Sequence, residues 1–153
     1  MIATADEFAG IRRQAEAEYP HECCGVILAK AGAREDRIPF PCRNIQNEKH
    51  AEDPVQFPRD ARTAYYADPR DVVRFVRLES EGYAVVTFYH SHIDAGAYFS
   101  ETDKRQAAPR GEPLYPDATY LILSVVDRKV VDARAFRWDP TQRDFLPLPF
   151  GEP

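Results

Sequence analysis

The chain has 153 residues, 44% of them hydrophobic and 29% charged, with a formal net charge of −5 at pH 7. That length suits one domain, against a prior of roughly 100–200 residues, and an acidic balance offers no basic footprint for nucleic acid or an anionic membrane surface. No apolar run approaches the roughly 18 residues that span a bilayer, and MIATADEFAG lacks the basic and apolar regions of a signal peptide, so the expected compartment is the cytoplasm.

Thr4, with Glu7 three residues on, forms a capping box ahead of apolar Phe8, Ile11 and Ala15 at helical spacing, and Pro20 ends that helix. Cys23–Ala29 (CCGVILA) reads as a buried strand, AGARED as a glycine-containing turn, and Ile38–Cys42 as a second strand near a sheet edge because prolines interrupt it. From 44 to 62 the chain is polar and irregular, longer than most connections, and is expected to be a functional or mobile loop. Asp68 caps a helix with Pro69 at its first position, Val72, Val73 and Val76 supply its apolar stripe, and Gly82 closes it. A strand over Tyr83–His92 follows, then a short helix from near Ser100, a loop over 109–118, strands over Thr119–Val126 and Lys129–Trp138 joined at Asp127 and Arg128, and a last extended piece over Phe145–Phe150. The order predicts an α/β or α+β layer structure, a mixed β-sheet flanked by helices, and not the regular alternation of a doubly wound sheet.

Cys23, Cys24 and Cys42 are odd in number, and the vicinal pair points to opposite faces of a strand. They read as reduced, buried hydrophobes, with Cys23 and Cys24 near enough to Glu22 to line a site. His21 and His50 read as surface histidines.

The chemistry concentrates in YHSHIDAGAYFSETD, residues 89–103. His90 and His92, two apart on a strand, project from one face at its carboxyl end, and can supply two ligands to one zinc at about 2.0–2.1 Å. The seven residues after His92 let the chain turn back and start a helix that carries Asp103 to the same point. SETD alone is a serviceable capping box, and a lone His-x-His is a weak signal. Together the spacings are far more specific. The pattern His90-Ser91-His92, seven residues, Ser100, two residues, Asp103 resembles the signature of the JAMM metallopeptidases, the catalytic MPN-domain family. His21-Glu22-Cys23-Cys24-Gly25 is similar to the upstream E-x-C-G segment of that family. The resemblance extends from Thr4 to Trp138. One departure is Ile93, where many members have proline, and it bears on the shape of the following loop.

The resemblance implies an MPN/cytidine-deaminase-like core and one catalytic domain over residues 1–153. It implies that His90, His92 and Asp103 bind Zn²⁺ with water in the fourth position, that Glu22 accepts the proton of that water and returns it to the leaving amine, and that Ser100 donates to the oxyanion. The small stand-alone bacterial members that the chain is most similar to imply a peptidase or isopeptidase cutting after the C-terminal Gly-Gly of a ubiquitin-like sulfur-carrier protein, with 44–62 and Pro109–Asp117 as walls of its groove. Two alternatives stand beside it: a zinc hydrolase of another small amide, and a noncatalytic MPN-type binding module, which would be expected to have lost ligands. The H-x-E and P-C-x-x-C pattern of the zinc deaminases is absent from the sequence.

Overall fold

The structure is a computed structural model, described here for residues 1–151. Helix α1 (Ala5–Glu18) begins at Thr4, whose hydroxyl accepts from the Glu7 N–H while the Glu7 carboxylate accepts from the Thr4 N–H. It ends at Tyr19, before a cis Tyr19–Pro20 bond. Strands β1 (Cys24–Lys30) and β2 (Ala33–Cys42) form a hairpin; then come helices α2 (Gln46–Glu52) and α3 (Pro69–Ser80), strand β3 (Tyr83–Ile93), helix α4 (Glu101–Ala107), and strands β4 (Thr119–Val126), β5 (Lys129–Asp139) and β6 (Asp144–Leu148). The strands make one six-stranded sheet in the order β2-β1-β3-β4-β5-β6. β3 and β4 are parallel, with α4 in the crossover, and the other neighbours are antiparallel, so the sheet is mixed and the fold α+β.

Two faces of the sheet are covered differently. α1 lays Phe8, Ile11 and Ala15 against Cys23, Ile27, Tyr89, Leu121, Leu123 and Val125, and each large apolar side chain so buried is worth about 1.5–3 kcal/mol. On the opposite face α3 packs against Cys24, Val26, Leu28 and Val85, while Ala97, Phe99 and Ala107 of the α4 region cover Tyr120, Ile122 and Phe145. The functional end of β3 emerges between these two clusters.

Three expectations are corrected. Ala33–Asp36 belong to β2, because only Ala31 and Gly32 are needed to turn the chain, Gly32 taking φ +81°. The polar stretch after Asn44 contains α2, which has no apolar stripe and is held by polar contacts: Asn44 Oδ1 accepts from Gln46 N at 3.0 Å, and the buried Gln46 amide donates to Arg59 O at 2.8 Å. In α3 the residue that enters the core is Phe75, flanked by Val72 and Leu78, whereas Val73 and Val76 are 52% and 44% exposed. β2 does lie at the sheet edge, where Pro39 and Pro41 withhold no hydrogen bond from an outer neighbour. Among the described residues, no helix is long and apolar enough to cross a membrane.

Candidate metal centre and cleft

His90 pairs with Ile122 and with Cys24 in the sheet register, and His92 with Ser124, so both imidazoles leave the face covered by α3 and α4. The loop that follows is pinned to the sheet. Asp94 N donates to Val125 O at 2.8 Å, Ser124 Oγ donates to Ala95 O at 2.6 Å, and Gly96 O lies 2.9 Å from His92 Nδ1. A carbonyl only accepts, so Nδ1 carries the His92 proton and Nε2 presents a lone pair. Ile93, in place of proline, continues the ladder opposite Val125.

Asp103 arrives from the other side on the first turn of α4. Ser100 is the N-cap: its Oγ accepts from Asp103 N at 3.1 Å, its N–H donates to Asp103 Oδ2 at 2.9 Å, and its hydroxyl also reaches Oδ2 at 2.6 Å. His90 Nε2 stands 3.2 Å from His92 Nε2 and 3.3 Å from Asp103 Oδ1, and His92 Nε2 stands 3.5 Å from Asp103 Oδ2. Donors on a tetrahedral ion at about 2.05 Å are separated by roughly 3.3–3.4 Å, close to the separation of the two imidazole nitrogens, while each imidazole meets a different oxygen of Asp103. The donor set fits as well. Burial lowers the pKa of His90 against the opposing pull of Asp103, which makes a proton a poor occupant there. Burial would raise Asp103, but its contacts with His90, His92 and Ser100 outweigh this and hold the carboxyl well below its ordinary value. Two imidazole nitrogens and an ionised carboxylate thus converge in a buried position that a divalent cation satisfies.

Glu22 is brought to this point by register. β1 and β3 pair Cys24 with His90, and Cys23 is tied to Ser91 by Cys23 N to Ser91 Oγ at 2.8 Å and Ser91 N to Cys23 O at 3.1 Å. The next residue, Glu22, is thereby held on the same cleft as His92 and Asp103. The small residue of the E-x-C-G segment also has a packing reason: a Cβ on Gly25 would lie 2.2 Å from the Tyr89 hydroxyl and 2.7 Å from Phe40 O. Glu22 is buried. Burial, then the charge of Asp103, push its carboxyl up to about 9, with Arg59 pulling the other way.

Glu22, His92, Ser100 and Asp103 line a cleft of about 330 Å³, whose remaining wall includes Arg59, Arg62, Thr63, Tyr65, Ile93 and Tyr98. Tyr65 packs on the His90 ring at 4.7 Å between centroids, and Tyr98 sets its edge against His92 at 4.8 Å. Of the expected walls, the end of 44–62 is present, while Pro109–Asp117 contributes no lining residue. Cys23 and Cys24 do not line the cleft either; both are buried free thiols packed in opposite-face clusters. His21 is exposed, but His50 is half-buried, with Nδ1 2.6 Å from Phe57 O. Arg59 and Arg62 belong to the expected 44–62 wall, whereas Tyr65 and Tyr98 carried no signal in the sequence, because only the tertiary fold brings them to the cleft.

The profile of prokaryotic homologs of the JAB domain matches residues 4–139. Tail tip assembly protein K of Escherichia phage N15 is 35% identical over 138 residues, 90% of this chain and 44% of that protein, so the chain spans less than half of that relative. Desampylase of Haloferax volcanii is 32% identical over 114 residues, covering 74% of this chain and 69% of that protein. Two solution structures share the fold: protein DSY2949 from Desulfitobacterium hafniense, at TM-score 0.63 and 20% identity over 95% of this chain and 87% of that one, and a protein from Salinibacter ruber, at 0.60 and 23% over 100% and 92%. With its His-x-His strand end, its helix-borne aspartate and a profile match across most of its length, the chain belongs to the JAB (JAMM) family, in its prokaryotic branch.

Proposed function

We propose that this chain is a zinc-dependent peptidase or isopeptidase that hydrolyses the bond after the C-terminal glycine of a ubiquitin-like sulfur-carrier protein, working in the cytoplasm as one catalytic domain over residues 1–153. The observation that carries this is the convergence of His90, His92 and Asp103 beside a cleft that Glu22 also lines. The likeness to a desampylase supports a ubiquitin-like substrate. His90, His92 and Asp103 would hold the ion, and zinc bound there supplies a Lewis acid that activates water and polarises a carbonyl at neutral pH. Glu22 takes the proton of the attacking water and passes it to the leaving amine, work that needs a carboxylate in reach of the ion but off it. Burial favours its protonated form, and a cation among the three ligands opposes that and favours the carboxylate. Ser100, on the cleft wall, turns the hydroxyl proton that it otherwise donates to Asp103 Oδ2 towards the oxyanion. A Gly-Gly tail suits a cleft of about 330 Å³ lined by Tyr65 and Tyr98, since a backbone without Cβ atoms approaches closely.

Mass spectrometry of carrier proteins bearing extensions after Gly-Gly, incubated with zinc-loaded protein, tests the proposal. The expected result is loss of all mass beyond the second glycine, absent with Glu22→Gln. Unchanged carriers throughout, or equal cleavage by Glu22→Gln, would sink it. The phage relative favours a second reading, in which the same site cuts a peptide bond in a tail assembly protein; cleavage of such a protein with carriers left intact would select it. A noncatalytic module is disfavoured because the ligand set is complete.

A further inference from the structure

We propose that Tyr65 is a further catalytic residue: its hydroxyl donates a hydrogen bond to the scissile carbonyl oxygen and holds the oxyanion that forms there. This rests on the peptidase reading above and adds a donor that no motif of the sequence carries.

Stabilising an oxyanion takes donors with an uncommitted proton, held in place before the charge appears. Of the side-chain donors on the cleft wall, Arg59, Arg62, Thr63, Tyr98 and Gln106 are exposed, so water competes for them. Ser100 must first give up its 2.6 Å bond to Asp103 Oδ2. Thr102 is tied to Arg105 in an exposed pair, Nη2 donating to its hydroxyl at 3.2 Å. Tyr65 differs from all of these. It is half-buried, and its hydroxyl has no hydrogen-bonded partner among the described residues. No side-chain oxygen or nitrogen sealed inside those residues goes unpartnered, so this hydroxyl is open to solvent, and the opening that Tyr65 lines is the cleft.

Both the ring and the backbone of Tyr65 are fixed. The ring lies against the His90 imidazole, 4.7 Å between centroids with 32° between planes, and packs on the cluster that holds Cys24, Val26 and Val85. In the chain on either side of it, Asn44 Nδ2 donates to Ala64 O at 3.2 Å and Asn44 Oδ1 accepts from Tyr66 N at 3.0 Å. The same Asn44 Nδ2 donates to Glu22 O at 2.8 Å. One amide thus sets the segment of the donor against the segment of the proton carrier. A phenol ionises at about pH 10, so at neutral pH Tyr65 carries the proton it shares. It transfers none: water adds to the glycyl carbonyl carbon, the C–N bond breaks, and Glu22 returns the proton of that water to the leaving nitrogen. The Tyr65 hydrogen bond only strengthens as the carbonyl oxygen gains charge and weakens as the carbonyl re-forms.

Tyr65→Phe tests this, because it keeps the ring on His90 and removes a hydroxyl that holds nothing else in the fold. The probe is N-acetylglycyl-aminomethylphosphonate, which is tetrahedral and anionic where the last glycine has its carbonyl. Calorimetry on zinc-loaded protein should show the variant binding it at least about tenfold more weakly than the wild type, the scale of one hydrogen bond to a charged group. Zinc content and melting temperature should be unchanged. With carrier extensions as substrate, kcat should fall by about 10² to 10³ while KM holds, as for one missing oxyanion donor. Equal phosphonate affinity in the two proteins, or no phosphonate binding by the wild type, would overturn the donor. Zinc lost from Tyr65→Phe would overturn it too, making Tyr65 a support for His90. Undiminished turnover in Tyr65→Phe would remove the donor and keep the peptidase. Phosphonate held through the Tyr65 hydroxyl by a protein that cleaves no carrier would remove the peptidase and keep the donor.

Discussion

The chain builds the same capping box twice, at Thr4–Glu7 and at Ser100–Asp103, and the two differ only in what the spare carboxylate oxygens meet. In both, a hydroxyl accepts from the N–H three residues on and a carboxylate accepts in return. Glu7 and Asp103 are equally buried, each 8% exposed. Glu7 meets a permanent cation: Arg37 Nε lies 2.8 Å from Oε1 and Nη2 lies 3.1 Å from Oε2, closing α1 onto β2. Asp103 meets His90 and His92, whose imidazoles bring lone pairs instead of a fixed positive charge. The first box is complete as it stands, and the second calls for a cation. A cap motif is therefore structural or functional according to the side chains across from it, and matched substitutions in the two boxes separate the roles.

The largest difference is expected at the carboxylates. Asp103→Asn keeps the size and the cap, but removes the anionic ligand; zinc by elemental analysis should drop from about one per chain to near zero, with turnover lost, and His90→Ala should do the same. Glu7→Gln should leave zinc content untouched and cost stability by about 1–3 kcal/mol, the scale of hydrogen bonds to a charged group, because Arg37 loses its charge partner. Full zinc in Asp103→Asn would erase the distinction between the boxes.

Glu22→Gln sharpens it from the other side of the cleft. Its side chain is off the ligand set, so zinc should be retained while hydrolysis falls by at least about a hundredfold. A variant that lost its zinc would make Glu22 a fourth ligand, and wild-type turnover would send the search for the proton carrier elsewhere.

The two boxes also mark what was legible in the sequence. Local chemistry read well: both caps, the bounds of β4, and the histidine pair ending a buried strand. The convergence of the His90, His92 and Asp103 side chains followed from spacing plus resemblance. What escaped was whatever tertiary contacts decide. α2 has the sequence QNEKHAE and no apolar period; it forms because Gln46 and Asn47 find partners on the segment that carries Arg59 and Ala61. In α3, valines at 73 and 76 promised a buried stripe, yet Phe75 filled the space against Phe40. Arg59, Arg62, Tyr65 and Tyr98 come from loops whose course no local pattern specifies.

At the hydroxyls the expected difference lies in kinetics. Thr4→Ala and Ser100→Ala should each cost about 0.5–2 kcal/mol as lost caps. Ser100→Ala should in addition lower turnover by about 10² to 10³ with zinc preserved, the scale of one missing oxyanion donor; Thr4→Ala should leave turnover as it was. Melting curves beside steady-state kinetics decide this, and undiminished turnover in Ser100→Ala would reduce Ser100 to a second Thr4.

The smallest effect concerns acid. Burial raises the pKa of Glu7, but the Arg37 hydrogen bonds, the Thr4 N–H and the Arg37 charge outweigh it, so the folded value lies below the ordinary 4.5. As pH falls through that window the unfolded chain takes up the proton first. The stabilisation by Glu7 is thus fully present above about pH 4.5 and is lost as pH falls through the depressed folded value. Glu7→Gln has no such proton to take up. Urea midpoints of metal-free wild type and Glu7→Gln, followed from pH 6 to pH 3, should therefore converge towards acid, with the wild type losing its advantage. Asp103 titrates in both proteins, lies in the other box, and cancels from the difference. A gap that stays constant across the range would mean that Glu7 and Arg37 hold α1 to β2 by packing and neutral hydrogen bonding, and the contrast between a box closed by charge and a box open to a cation would lose its first half.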